Sequence, residues 1–119
     1  GHNPPYLLAA GALPRAIRDA RGALLGWSSG TAYRSSELVL APGQSLFLYT
    51  DGVTKANAPS GDLFTERRLE ALLARDTAGP PSVLTAAVLR AVDAFAGAGP
   101  PADDVTVMAL RYEPEGAAP

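Results

Sequence analysis

Apolar and polar positions along the first half of the chain predict short β-strands separated by turns. The strongest signal is the apolar run at residues 46–49, which places bulky side chains on both faces. Such a run is typical of a strand buried between two layers. Weaker runs predict strands at residues 6–10, 16–19 and 33–40, and a final strand that begins at Val105.

Two segments in the second half have the apolar spacing of amphipathic helices. The first is predicted to begin near Thr65, as the N-cap residue, with Phe64 and Leu69 forming a hydrophobic staple. The second begins at Pro80-Pro81 and carries an apolar stripe, composed of Leu84, Ala87, Val88, Ala91, Val92 and Phe95. We expect both helices to lie on one side of a sheet in which Phe47 and Tyr49 share a face.

Composition limits the chain to one domain, because it has 119 residues, of which 47% are hydrophobic. A net charge of −2 and only 7% aromatic residues argue against nucleic-acid binding. No run is long enough for a membrane span. The chain has no cysteine, which excludes disulfides, zinc–thiolate sites and cysteine nucleophiles. Residues 113–119 are mostly Pro, Gly and Ala and are predicted to be disordered, which leaves residues 1–112 as the domain.

Candidate chemistry lies in two acidic clusters at predicted strand ends. Asp51-Gly52 follows the central strand, and Asp103-Asp104 precedes the last one. Each cluster alone has an ordinary interpretation: Asp-Gly forms turns, and paired acids are commonly solvated. Together they also suit a shared site for a hard divalent cation, which prefers oxygen ligands. At Gly52 no side chain would keep an ion away from the backbone.

An ordered set of short motifs makes the chain resemble a known family. The motifs are Gly1-His2-Asn3-Pro4-Pro5-Tyr6-Leu7, Leu24-Leu25-Gly26, Leu40-Ala41-Pro42-Gly43-Gln44, Leu48-Tyr49-Thr50-Asp51-Gly52-Val53-Thr54, Gly61-Asp62-Leu63-Phe64 and Asp103-Asp104-Val105-Thr106. In this order they resemble the C-terminal half of a bacterial PPM-type serine/threonine phosphatase domain, of the SpoIIE/RsbU kind related to protein phosphatase type 2C. The fold implied is α+β: half of an α-β-β-α sandwich, with an antiparallel sheet and two helices packed on one face.

The resemblance implies a pair of Mn²⁺ or Mg²⁺ ions that activate a water to attack phosphoserine or phosphothreonine. Asp51 and Asp103 match metal ligands of the family, Gly52 and Asp104 are further candidates for metal binding, and His2 is a candidate for substrate binding. The remaining ligands would come from the N-terminal half of the domain, which is absent from this sequence. The fragment alone is therefore expected to be inactive.

Two departures leave alternatives open. Lys55 stands where the family usually has Glu, and a cation there either steers phosphate or is an exposed substitution. The missing half and Lys55 also suit a non-catalytic protein-interaction module that retains the phosphatase fold. The partners implied are a phosphorylated regulatory protein of the anti-sigma-factor antagonist type, an upstream sensor or receiver domain and a homodimer, in a cytoplasmic protein with no membrane or nucleic-acid contact.

Overall fold

A computed structural model of the protein describes residues 2–99 and 103–115. The elements in chain order are β1 (Tyr6–Leu8), β2 (Arg15–Ala16), β3 (Ser45–Tyr49), α1 (Asp51–Thr54), α2 (Thr65–Ala74), α3 (Pro81–Ala96) and β4 (Val107–Arg111). Three segments lie outside the described residues. They are residue 1, residues 100–102, and residues 116–119 of the predicted disordered tail.

The four strands form one antiparallel sheet in the order β2-β1-β3-β4. The central strand β3 pairs with β1 on one side and with β4 on the other, so that Phe47 lies between Tyr6 and Ala109. Because side chains alternate across a strand, this register places the large aromatic groups of β1 and β3 on the same face. Tyr6 and Tyr49 stack with ring centroids 5.9 Å apart.

All three helices enclose the core against that aromatic face. Phe47, Tyr49 and Tyr6 are buried there. The predicted stripe of α3 is also confirmed, with Val88 fully buried at its centre. The remaining fully buried aliphatic side chains are Leu8, Val53, Leu69 and Leu73. The predicted α+β arrangement, with both predicted helices on one face of an antiparallel sheet, is therefore confirmed.

The opposite face of the sheet has no such cover among the described residues. Leu46 and Leu48 of β3 are only half-buried. Their partners on β4, Leu110 and Met108, are 40% and 52% exposed. Within the described residues, helices therefore cover only the aromatic face of the central strand, and on the other face loop residues such as Leu38 line a cavity with Leu46 and Leu48. The expectation of burial between two layers is met on the aromatic face alone.

Three predicted elements differ from the structure. The strand expected at residues 16–19 is the two-residue β2, because the chain turns at Asp19 soon after pairing with β1. Residues 33–40 form no strand: no ladder partner lies beside them, and Val39 is 88% exposed. Helix α2 is capped by Phe64 and has no side-chain cap bond, so Thr65 is its first residue and not its N-cap.

Candidate metal centre

Asp51 lies where the central strand β3 ends and the one-turn helix α1 begins, with Thr50 as the extended N-cap residue. Its carboxylate is held by two donors from different parts of the chain. Oδ1 accepts a hydrogen bond from Asn3 Nδ2 at 2.8 Å. Oδ2 accepts one from Lys55 Nζ at 3.2 Å. Each carboxylate oxygen therefore has a donor, and the side chain is oriented from both sides.

Thr50 ties this strand end to the segment that carries the second acidic cluster. Its backbone N–H donates to the carbonyl of Thr106 at 3.0 Å, and its hydroxyl accepts from the Thr106 N–H at 3.0 Å. The same hydroxyl lies 3.3 Å from the carbonyl oxygen of Asp104, to which it donates. Asp103 in turn caps the Asp104 N–H through Oδ1 at 2.8 Å. The hydrogen bonds of Thr50 thus hold the two strand ends that carry the acidic clusters side by side.

Gly52 explains how closely the two segments approach. A Cβ atom at Gly52 would lie 2.1 Å from the carbonyl oxygen of Asp104 and 3.1 Å from Cγ2 of Val105. No side chain fits in that space, so the glycine is required by packing against the acidic segment. Its predicted contribution to metal binding through the backbone stays a prediction.

One cavity of about 310 Å³ brings most of the predicted site residues together. It is lined by His2, Asn3, Thr50, Asp51, Asp103, Asp104 and Thr106. Gly52 lies outside this cavity and lines a smaller one of about 120 Å³ beside α3, which Asp103 also reaches. Sequence reasoning assigned no role at the site to Asn3 or to Thr50. The position of Thr50 directly before Asp51 is the signal that could have pointed to it.

The hydrogen bond from Asn3 and then that from Lys55 hold the pKa of the Asp51 carboxyl below its usual range, against the opposing effect of burial. The side chain of Asp51 is about half exposed, so solvent screens both contacts. Because the folded-state pKa is lowered, these contacts stabilise the fold above the ordinary pKa of Asp. Their contribution is lost as pH falls through the lowered value.

The donors around the cavity suit a hard divalent cation. Three carboxylates line it, and oxygen ligands are those preferred by Mg²⁺ and Mn²⁺. Within residues 2–99 and 103–115, however, no three His, Cys, Asp or Glu side chains are grouped closely enough to hold an ion by themselves. Asp51, Asp103 and Asp104 therefore fit part of a metal site, and further ligands are needed to complete it.

The chain has one antiparallel sheet with helices on one face, and acids lie together at one end of the sheet. This arrangement corresponds to part of the fold of PP2C-type phosphatase domains. The sequence model of the family described as Stage II sporulation protein E (SpoIIE) matches residues 1–113. The chain belongs to this family.

Solved structures agree with this assignment. The SiaA-PP2C domain of Pseudomonas aeruginosa superposes with a TM-score of 0.72 at 27% identity, over 93% of this chain and 44% of that one. The phosphatase domain of the cell fate determinant SpoIIE from Bacillus subtilis, in a crystal presoaked with Mn, gives a TM-score of 0.60 at 19% identity, over 100% of this chain and 50% of that one. The second match supports the fold alone.

Among curated proteins, Protein IcfG of Synechocystis sp. is 27% identical over 84 residues, which are 71% of this chain and 13% of IcfG. The chain thus spans half or less of each of these relatives and corresponds to a part of a PPM-type phosphatase domain. Within the described residues, no helix is both long and apolar enough to cross a membrane.

Proposed function

We propose that this chain supplies one side of the active site of a metal-dependent serine/threonine phosphoprotein phosphatase. The observation that carries the proposal is the shared cavity at the end of β3, where Asp51 meets Asp103 and Asp104 although about fifty residues separate them. Membership of the SpoIIE family supports the reaction class.

Residues that line the cavity have different roles in the proposed reaction. Asp51, Asp103 and Asp104 would hold Mn²⁺ or Mg²⁺ together with acids from outside the described chain. Bound divalent cations neutralise a phosphomonoester and lower the pKa of a water. Asn3 holds the Asp51 carboxylate in position and keeps it ionised. His2 lines the same cavity, which supports the proposal that it would contact the phosphorylated side chain.

The substrate would be a phosphoserine or phosphothreonine on a bacterial regulatory protein of the anti-sigma-factor antagonist type. Phosphate release from such a protein should require Mn²⁺ and should stop when a chelator is added. The assay uses the full-length gene product, with Asp51→Asn and Asp103→Asn as test variants. Asp19→Asn is the matched control, because Asp19 is exposed and lies outside the cavity.

We expect both test variants to lose nearly all turnover while melting like the parent protein, and the control to retain it. The 119 residues alone should not turn over, since their described acids do not complete a metal site. Full activity of Asp51→Asn would remove Asp51 from the site, and metal-dependent turnover by the 119 residues alone would contradict the half-site argument.

A non-catalytic interaction module is the second candidate. It is favoured by one observation: both oxygens of Asp51 already have protein donors, from Asn3 and Lys55. A module of this kind would fold without divalent cations and bind a phosphorylated or unphosphorylated partner equally well. Calorimetry with Mn²⁺ separates the two, because the phosphatase must bind the metal and the module need not.

A further inference from the structure

The contact between Lys55 and Asp51 joins the C-cap residue of helix α1 to its first residue. The two residues are four positions apart, a spacing that brings side chains together on one helix face. Lys55 Nζ is 3.2 Å from Asp51 Oδ2, and Asn3 occupies the other oxygen at 2.8 Å. A cation that binds Asp51 through Oδ2 therefore either displaces the ammonium group or shares that oxygen with it at close range.

We propose that Lys55 is an internal competitor for the divalent cation at Asp51, and that it lowers the metal affinity of the site. The inference rests on the proposed function, since it takes Asp51 to be a metal ligand. Both possibilities lower the affinity for metal: displacing the ammonium from Oδ2 breaks its contact with Asp51, and an ammonium that stays beside Oδ2 repels a divalent ion.

The solvent exposure of Lys55 and Asp51 limits how far Lys55 can lower the metal affinity. The side chains of Lys55 and Asp51 are 63% and 48% exposed, so an ion pair of this kind is weak and salt-sensitive. Repulsion of a divalent ion across a few ångströms of water-like medium remains appreciable at low salt. Removing the charge should therefore tighten metal binding by about tenfold at low salt, and by less where salt screens the interaction.

The same lysine could instead bind the phosphate of a substrate, and the geometry favours competition. Lys55 is not among the residues that line the cavity with His2 and the three acids. Its ammonium group donates a hydrogen bond to Asp51 Oδ2. A phosphate-binding lysine would change affinity for inorganic phosphate and leave the affinity for metal alone unchanged.

Titration calorimetry of the full-length gene product with Mn²⁺, and separately with inorganic phosphate, at low salt and at about 0.5 M salt tests this proposal. We compare the parent protein with Lys55→Gln, with Lys55→Arg as the charge-retaining control, and with Asp51→Asn. Melting curves confirm that each variant is folded. Lys55→Gln should bind Mn²⁺ about tenfold more tightly at low salt, Lys55→Arg should stay within about twofold of the parent, and the gain should shrink at high salt.

Each other outcome is decisive. Unchanged or weaker Mn²⁺ binding by Lys55→Gln, in a protein whose binding is lost in Asp51→Asn, overturns the competition and leaves the metal site standing. Mn²⁺ binding that survives Asp51→Asn removes Asp51 as a ligand, and the proposed function falls with it. A Lys55→Gln variant that loses affinity only for inorganic phosphate assigns the lysine to the substrate and overturns the competition as well.

Discussion

Replacing Gly52 by alanine places a methyl group against the segment that carries the second acidic cluster. The new carbon would lie 2.1 Å from the carbonyl oxygen of Asp104, 2.7 Å from its carbonyl carbon and 3.1 Å from Cγ2 of Val105. Non-bonded carbon atoms settle about 3.5–4.0 Å apart, so helix α1 and this segment must separate by about 1 Å. The hydrogen bonds made by Thr50 oppose that movement.

Two opposing contributions determine how far Gly52→Ala changes the free energy of unfolding. Forcing an extra methyl group into a packed contact costs about 1–3 kcal/mol. Alanine recovers up to about 1 kcal/mol relative to glycine inside a helix. We therefore expect Gly52→Ala to lower the free energy of unfolding by about 1–2 kcal/mol. Metal affinity should fall as well, because Asp51 and Asp103 move apart.

Urea unfolding of the full-length gene product measures the first effect, as a lower midpoint with an unchanged slope. Calorimetry with Mn²⁺ measures the second. Gly99→Ala is the matched control, because a Cβ atom there meets no atom of the described residues within 4 Å and the backbone is not in the left-handed region. If Gly52→Ala unfolds at the same urea concentration as the parent and binds Mn²⁺ equally well, the close approach of α1 to the acidic segment is wrong.

Three further predictions concern the core and the carboxylate. Val88→Asp leaves an unpaired charge in the centre of the α3 stripe and should destabilise the fold by about 3–5 kcal/mol, whereas Val83→Asp, on the 52% exposed side of the same helix, should melt like the parent. Asn3→Ala should raise the pKa of Asp51 in a carboxyl NMR titration, since the Asn3 hydrogen bond is the main cause of its lowering; an unchanged pKa would contradict that bond. Tyr49→Phe should melt at about the parent temperature, because within the described residues the buried Tyr49 hydroxyl makes no hydrogen bond of ordinary geometry and only approaches the Tyr6 hydroxyl, which itself donates to Glu70; a clear loss of stability would show that the Tyr6–Tyr49 contact is a stabilising hydrogen bond.

The hydrophobic pattern of the sequence was enough to predict the elements whose side chains are buried in the core. The continuous apolar run at residues 46–49 predicted β3, and the helical stripe around Val88 predicted α3, because buried side chains in these elements leave apolar residues at consecutive or helically spaced positions. Residues 33–40 show similar apolar content and form no strand, since a strand needs a neighbour to pair with and the sequence does not state where one lies.

The supports of the candidate site were harder to predict for the same reason. The Asn3–Asp51 bond spans 48 positions and the Thr50–Asp104 bond spans 54, so neither leaves a local signature. The acids themselves could be found, because carboxylates directly after or before apolar runs are conspicuous. The sequence analysis singled out Gly52 because the lack of a side chain would let an ion approach its backbone. In the structure, the lack of a side chain lets the backbone of Asp104 pack against it.

The open sheet face and the incomplete acid set point to the same requirement. Met108 and Leu110 of β4 remain 52% and 40% exposed, and the neighbouring strand β3 adds two leucines to the same face. Exposing an apolar surface of this kind to water costs free energy. At the end of that sheet, Asp51 and Asp103 share a cavity, yet the described residues offer no complete group of metal ligands. A phosphatase built on this chain therefore needs a second layer that covers the leucines and brings further acids to the cavity. A single partner layer that meets both needs would make metal binding and the burial of the open face one cooperative event.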